Sequence, residues 1–491
     1  MKKVRIPLLC AVLAGACFAL SSHFEAAWWL AWVAPVPVLA LAFGRTNPVA
    51  VLAAALAAGV LAGLALAAPY LGVVPGPTLT GAIALNGIGL AACVMLARFA
   101  GRTLFPIAGP FAFAALWTVW DFVAASGPDG ALASPAYSQA GIPLLIQAVP
   151  LFGAWVVTFL IGTTAGLVAL AFARRNSLYL LPAAALIAAN LVYGTIALKQ
   201  AQGPERRVML IDSDALAEAS TIDSRDIALG AVLAYAAEIR LKAKGVDLVV
   251  LPERIAILRT GWRDEALDYL QAVSSATGAK IVAGFELRGQ AGARNIAYTI
   301  KPDGSAPTAY VQASMQGGAT KDVAVAISHD MNFFDAMRTR MASLHTGLVA
   351  IPAWDFGSDG GAEARKAVMR GLESGFAMAR AARDGRLTLS DAQGRILAMI
   401  STAPDGFTVL SRHVAAGLHP GDTLYDRIGD AFIWVSAFLG GGLVFLGLLR
   451  VLANTAPVRD LRARHAGRLP VIAWTPAPLT ARHAAAPRRR R

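Results

Sequence analysis

Val323-Ala-Val-Ala-Ile-Ser328-His-Asp-Met-Asn-Phe333 is an apolar run that stops abruptly at a hydroxyl, an imidazole and a carboxylate. The run has the character of a buried strand, and the polar stretch that of a short elbow leading into a helix. A strand end of this kind presents one side chain to a cleft, and here that side chain is Ser328. Outward from it, further strands are expected at 207–211, 246–251, 280–284, 295–300 and 308–312, with helices near 224–243, 263–277 and 362–383. The alternation implies an α/β layered domain whose strands are buried on both faces.

The rest of the chain does not have the composition of a soluble protein. Of 491 residues, 56% are hydrophobic and only 15% charged, against roughly 25% charged in soluble domains. A membrane-spanning helix needs about 20 mainly apolar residues. Seven such stretches precede the α/β region, at about 6–24, 27–44, 48–73, 77–97, 103–124, 145–172 and 178–198, and an eighth follows at about 429–452. The three cysteines, Cys10, Cys17 and Cys93, all fall in these apolar runs, so the α/β region has no thiol for catalysis, disulfide or zinc. His345 and His413 have no partners at metal-ligand spacing, so no metal and no other cofactor is expected.

Charge orients the spans. Lys2, Lys3 and Arg5 precede the first, Arg45 follows the second, Arg98 and Arg102 the fourth, and Arg174 and Arg175 the sixth. The loops after the first, third and fifth carry no Lys or Arg. With the N-terminus cytoplasmic, the positive-inside rule sends residues 199–428 to the far side of the membrane. The expected organisation is therefore an α-helical bundle of seven spans over 1–198, an extracytoplasmic α/β domain over 199–428, an eighth span over 429–452 and a cytoplasmic tail over 453–491. The chain is expected in the bacterial inner membrane with its domain on the periplasmic side. From Arg450 onward ten arginines stand against one acidic residue, Asp460. A basic tail directly behind an apolar helix is a topology signal or a contact with anionic lipid, and no nucleic-acid partner is expected. Small residues at Ala14-Gly-Ala-Cys17 leave cleavage of the first span open, and an uncleaved span is expected.

Leu251-Pro252-Glu253 upstream of Ser328 and Arg370-Gly-Leu-Glu-Ser-Gly-Phe-Ala-Met-Ala-Arg380 downstream resemble strings of the nitrilase, or carbon-nitrogen hydrolase, superfamily. Spans before this region and one closing span after it resemble the apolipoprotein N-acyltransferase family. Ala136-Tyr-Ser-Gln-Ala140, Pro143-Leu-Leu-Ile-Gln147, Pro150-Leu-Phe-Gly153 and Trp117-Thr-Val-Trp-Asp121 are similar to that family's membrane segments. Asn295 through Tyr310 and Asp391-Ala-Gln-Gly-Arg395 are similar to general nitrilase strings. The resemblance implies an α-β-β-α sandwich and a catalytic Glu, Lys and Cys. It also implies acyl transfer from phospholipid, through a thioester, to the α-amine of a lipoprotein.

Residue by residue, the family's Glu falls on Glu253, its Lys on Gln312 and its Cys on Ser328. Only 17 residues separate Tyr310 from Ser328, and the family carries a longer active-site loop there. A hydroxyl needs an adjacent base where a thiolate does not, and an amide cannot neutralise an oxyanion. The expectation is a catalytically impaired, pseudoenzyme-like member of the family. Its expected partners are membrane phospholipid, lipoprotein or envelope-complex proteins. The alternatives are a working acyltransferase or amidase using Ser328 with Glu253, and an envelope component of a conjugal-transfer system. Ser328-His329-Asp330 cannot form a triad by adjacency, because a triad is a matter of geometry rather than order. His329 is expected to pack or to hydrogen-bond within its loop, and Lys321 to be solvated. Asp121, inside the fifth span, is either a costly intramembrane carboxylate of the kind that often carries function or, near the span's end, a residue that reaches the interface. Gly284 and Gly304 are expected at a close approach or a turn.

Overall fold

The computed structural model describes residues 2–71, 74–290, 292–314, 319–320, 322–355, 357 and 360–454. Lys321, most of the Gln316–Asp322 turn and all but the start of the basic tail lie outside the described residues.

Eight helices in the described residues are long and apolar enough to cross a membrane: Arg5–His23, Glu25–Phe43, Pro48–Tyr70, Gly76–Thr103, Ala108–Ala125, Trp155–Arg174, Ser177–Ala197 and Ala431–Ala453. The second is built of short pieces, because Pro35 and Pro37 interrupt its hydrogen-bond ladder. The sixth begins at Trp155 and not near 145. Residues 143–152 form two single turns, and Gly153, with φ of +73°, ends the second of them. Small residues bring the Pro48–Ala67 and Gly76–Thr103 helices close: a Cβ on Gly59 would lie 2.6 Å from the Asn86 carbonyl oxygen. At one end of the bundle, Arg98 donates to the Ala42 and Thr46 carbonyls, Arg102 to that of Gly44 and Arg450 to that of Leu104. These cations satisfy carbonyls that helix ends leave unpaired.

Among the described residues the α/β domain has twelve strands: β1 (Glu205–Asp212), β2 (Leu248–Val250), β3 (Ile257–Leu258), β4 (Lys280–Gly289), β5 (Gly292–Ile300), β6 (Thr308–Val311), β7 (Ala324–Val325), β8 (Leu348–Trp354), β9 (Ala377–Arg383), β10 (Arg386–Ser390), β11 (Ile396–Ser401) and β12 (Thr408–Ala415). One sheet runs β12-β1-β2-β4-β5-β6, with β3 continuing alongside β4; the other runs β11-β10-β9-β8-β7. In the first, a parallel centre (β1, β2, β4) is flanked on both sides by antiparallel strands; in the second, parallel β7, β8 and β9 are extended by antiparallel β10 and β11 on one side.

Three cores fix the layers. Val208, Leu210, Val250 and Val282 of the first sheet pack on Val325, Leu348, Ala350 and Ala379 of the second. The outer face of the first sheet is covered by helices Arg225–Lys242 and Thr260–Thr277. The outer face of the second is covered by helices Phe334–Leu344 and Gly360–Glu373. The domain is therefore an α-β-β-α sandwich. Its second helical layer is continuous with the core of the membrane bundle, where Phe334 meets Trp155 at 5.1 Å and Phe122 at 5.5 Å.

The expected helix over 362–383 is corrected. It ends at Glu373, and 377–383 is β9, paired on both sides. Gly375, with φ of +68°, makes the break. Ala377-Met-Ala-Arg-Ala-Ala-Arg383 is buried at every position, so no alternation betrays a strand, and Ala, Met and Arg all favour helix. The strand expected to run up to Ser328 pairs only over Ala324–Val325. Asp121 is buried and accepts hydrogen bonds from Thr158 (2.6 Å) and Ser134 (2.7 Å), so it ties two segments together.

Candidate active site at the strand ends

Glu253, Gln312 and Ser328 leave the carboxyl ends of β2, β6 and β7. Behind Glu253, Gly284 takes the close approach expected of it: a Cβ there would lie 2.6 Å from the Pro252 carbonyl oxygen and 2.7 Å from the Glu253 Cα. Gly304, with φ of +76°, makes a turn.

The site is organised by a residue the sequence reading left without a role. Asn295, on β5, donates from Nδ2 both to the Glu253 carboxylate and to the Gln312 side-chain carbonyl (3.2 Å). Gln312 is held in turn by its backbone N–H on the Asn295 carbonyl (3.0 Å). Glu253 is buried, which pushes its pKa up to about 7 even though Asn295, Arg254 and Arg383 pull it down; Asp330 adds to the rise.

Ser328 joins them through Asp330. The fully buried Asp330 carboxylate accepts from the Ile327 N–H (2.7 Å), the Tyr310 hydroxyl (2.7 Å) and the Ala313 N–H (2.9 Å), tying the Ser328 turn to the residue after Gln312. β7 pairs in parallel with β8 (Ala324 opposite Val349, Val325 opposite Ala350), and further along β8 the Ala353 carbonyl accepts the Glu253 N–H (3.1 Å). Ser328 itself is half-buried, with φ of +22° at the first position of a 3₁₀ turn, Ser328–Asn332. A non-glycine residue in such a conformation is strained.

The three sites thus meet at one end of the sandwich, but without a relay. Among the described residues the Ser328 hydroxyl makes no hydrogen bond to Glu253, to His329 or to any other base. His329 instead has its Nδ1 against the Asn332 amide at 3.0 Å, as expected of a loop histidine. Beside the site, the guanidinium groups of Arg383 (4.0 Å) and Arg254 (5.1 Å) both lie over the Trp354 ring, and Arg254 is ion-paired with Glu286. Trp354 and Arg383 face a cleft of about 560 Å³ that also exposes Asp214, Asp384 and Arg386; its walls include none of Glu253, Gln312 and Ser328. Arg254, Arg383, Asn295 and Asp330 carry no local signal of their roles, because each acts on a partner far away in sequence.

Residues 14–167 match the family model of the apolipoprotein N-acyltransferase N-terminal domain. No curated protein matches the chain. Among solved structures it is similar to a carbon-nitrogen hydrolase from Helicobacter pylori, at 13% identity over 47% of this chain and 95% of that one, with a TM-score of 0.37. It is also similar to an amidase from Nesterenkonia sp. (17% identity, 47% and 97% covered, TM-score 0.33). A third similar structure is Nit3 from Saccharomyces cerevisiae, of the nitrilase superfamily (12%, 46% and 96%, 0.33). The sandwich itself stands on the strand pairing above. The chain thus joins a bundle of apolar helices, in which residues 14–167 are similar to the apolipoprotein N-acyltransferase N-terminal domain, to an α-β-β-α sandwich.

Proposed function

We propose that this protein is a divergent, catalytically impaired relative of the apolipoprotein N-acyltransferases that binds phospholipid, lipoprotein or an envelope partner without transferring an acyl chain. The observation that carries this is the double engagement of Asn295. Its two amide hydrogens are committed to Glu253 and Gln312, while the Ser328 hydroxyl has no base among the described residues. Acyl transfer through a hydroxyl needs both a base on the nucleophile and charge or donors at the oxyanion. The protein acts in the bacterial inner membrane with the domain on the periplasmic side. Supporting that orientation, Arg98, Arg102 and Arg450 cap helix ends at the end of the bundle away from the domain.

The test is labelling of the detergent-solubilised full chain with a fluorophosphonate or lipid-ester probe. No labelling above that of Ser328→Ala is expected, and Ser328→Ala is expected to function normally in cells. A second reading, a working Ser328 acyltransferase or amidase, has two supports: the strained elbow at Ser328 and a Glu253 carboxyl poised near neutrality. Labelling that Ser328→Ala and Glu253→Ala each abolish would replace the first reading with the second. Acyl transfer restored by Gln312→Lys combined with Ser328→Cys would locate the impairment in these two side chains alone.

A further inference from the structure

The Ser328–Asn332 turn is gripped from outside its own domain, by the loop that joins the Ala108–Ala125 and Trp155–Arg174 helices of the bundle. The Ala131 N–H donates to the Asn332 carbonyl (2.8 Å), and Asn332 Nδ2 donates to the Asp129 carbonyl (3.2 Å). Between them Gly130, with φ of +69°, lies so close that a Cβ would sit 2.7 Å from the Asn332 carbonyl oxygen and 2.8 Å from its Cβ. Asn332 is 4% exposed.

The same Nδ2 faces His329 Nδ1 at 3.0 Å. Its two hydrogens therefore go to the Asp129 carbonyl and to His329 Nδ1, which fixes Nδ1 as an acceptor and places the ring proton on Nε2. Among the described residues the buried Asn332 Oδ1 has no hydrogen-bond partner. Protonating His329 at Nδ1 would set two N–H groups face to face. Turning the amide over relieves this: Oδ1 then accepts from the imidazolium and the orphaned acceptor is satisfied. The same turn points that oxygen at the Asp129 carbonyl, so the bond from the Asn332 side chain to the loop is lost, and only the Ala131 N–H on the Asn332 main-chain carbonyl still holds it.

We propose that Asn332 is a positioning residue, an amide latch by which the bundle loop 129–131 holds the Ser328 turn, and that protonation of His329 releases it. Four charged groups surround the imidazole: Lys366 and Glu363 from the Gly360–Glu373 helix, Asp129 from the bundle loop and Asp330 from its own turn. Phe333 packs edge-on against the ring at 5.2 Å, and the Tyr70 hydroxyl lies behind Glu363 at 3.4 Å. Desolvation of the packed side of the ring, then Lys366, pull its pKa below the ordinary 6.5; the three carboxylates oppose this less strongly. A lowered folded-state value means that the unfolded chain binds the proton first. The latch is therefore complete at neutral pH and is lost as pH falls through the folded value.

The test is hydrogen exchange of backbone amides in peptides spanning 129–133, on the full chain in detergent or nanodiscs. Exchange is compared at pH 7.5 and pH 5 after correction for intrinsic rates. With the side-chain bond to Asp129 gone, the loop is held by the Ala131 N–H alone and opens more often, which is expected to lower protection at Ala131 by about fivefold or more at pH 5. In His329→Gln the protection should be the same at both values, and in Asn332→Ala it should be low at both. An unchanged acid response in His329→Gln, or wild-type protection in Asn332→Ala, overturns the proposal. The His329→Gln arm decides by itself if Asn332→Ala does not fold. No part of this readout depends on chemistry at Ser328, so its failure is distinct from failure of the impaired-enzyme reading.

Discussion

Replacing Arg370 by Met is expected to destabilise the seating of the domain on the bundle by about 3–5 kcal/mol, the cost of removing one partner from a buried ion pair. Arg370 is 1% exposed and sits where bundle and domain meet. Its guanidinium is ion-paired with Glu373, donates to the Tyr137 hydroxyl of the bundle loop, and donates from Nε to the Met331 carbonyl (3.2 Å) in the Ser328–Asn332 turn. Glu373 in turn accepts from the Ala154 N–H (2.9 Å) at the head of the sixth apolar helix. Met fills much of the volume but leaves a buried carboxylate without a cation and two oxygens without donors.

For a domain of this size, such a loss lowers an apparent melting midpoint by roughly 10 °C, read by tryptophan fluorescence in detergent. The companion variant is Arg370→Met with Glu373→Leu. Removing both charges should recover a large share of the loss, since replacing a buried pair whole by apolar groups is often close to neutral. If the double variant is no more stable than Arg370→Met, the pair is not the source of the effect, and the Tyr137 and Met331 contacts are.

The same helix explains why so much of the molecule was legible in the sequence and why the site was not. Spans of about 20 apolar residues announce themselves by composition, and Arg98, Arg102, Arg174 and Arg175 mark their shared end by charge alone. Strands β1, β2, β4, β5 and β6 are short apolar runs bounded by polar turns, and the chain forms them where they are expected. β9 fails because it is covered on both faces and built of helix-favouring residues; only Gly375 hinted at the break. Glu253, Gln312 and Ser328 could be placed at strand ends. Their connection could not, because it runs through Asn295, set beside Glu286 by the β4–β5 register, and through Asp330, whose partners lie on other elements. Nothing local marks Asn332 either, since its grip is on a loop some two hundred residues earlier in the chain. Period and composition describe an element against its own surroundings, and a site made of cross-chain hydrogen bonds leaves no trace in either.

Glu253→Gln is expected to stabilise the protein at pH 8 by about 3 kcal/mol and to leave it unchanged at pH 4. The sign follows from proton binding. Burial raises the Glu253 pKa from an ordinary 4.5 to about 7, so between those values the folded state holds a proton that the unfolded chain has released. Stability therefore falls as pH rises across that window, and above it the full cost of an ionised buried carboxylate remains. Gln keeps an oxygen that can accept from Asn295, so the network survives while the charge does not. Asp212, pushed up to about 8 by burial and then by Asp214, makes the wild-type baseline slope the same way. The informative quantity is for this reason the difference between variant and wild type, from denaturation midpoints at pH 4, 6 and 8. A difference that is the same at all three would mean that Glu253 titrates normally. The measurement also bears on chemistry, because a carboxyl with a pKa near 7 is what a general base at physiological pH requires. If a probe does label Ser328, its rate should rise with pH through about 7 in the wild type and not in Glu253→Gln. If it does not, the stability cost persists with no reaction to offset it.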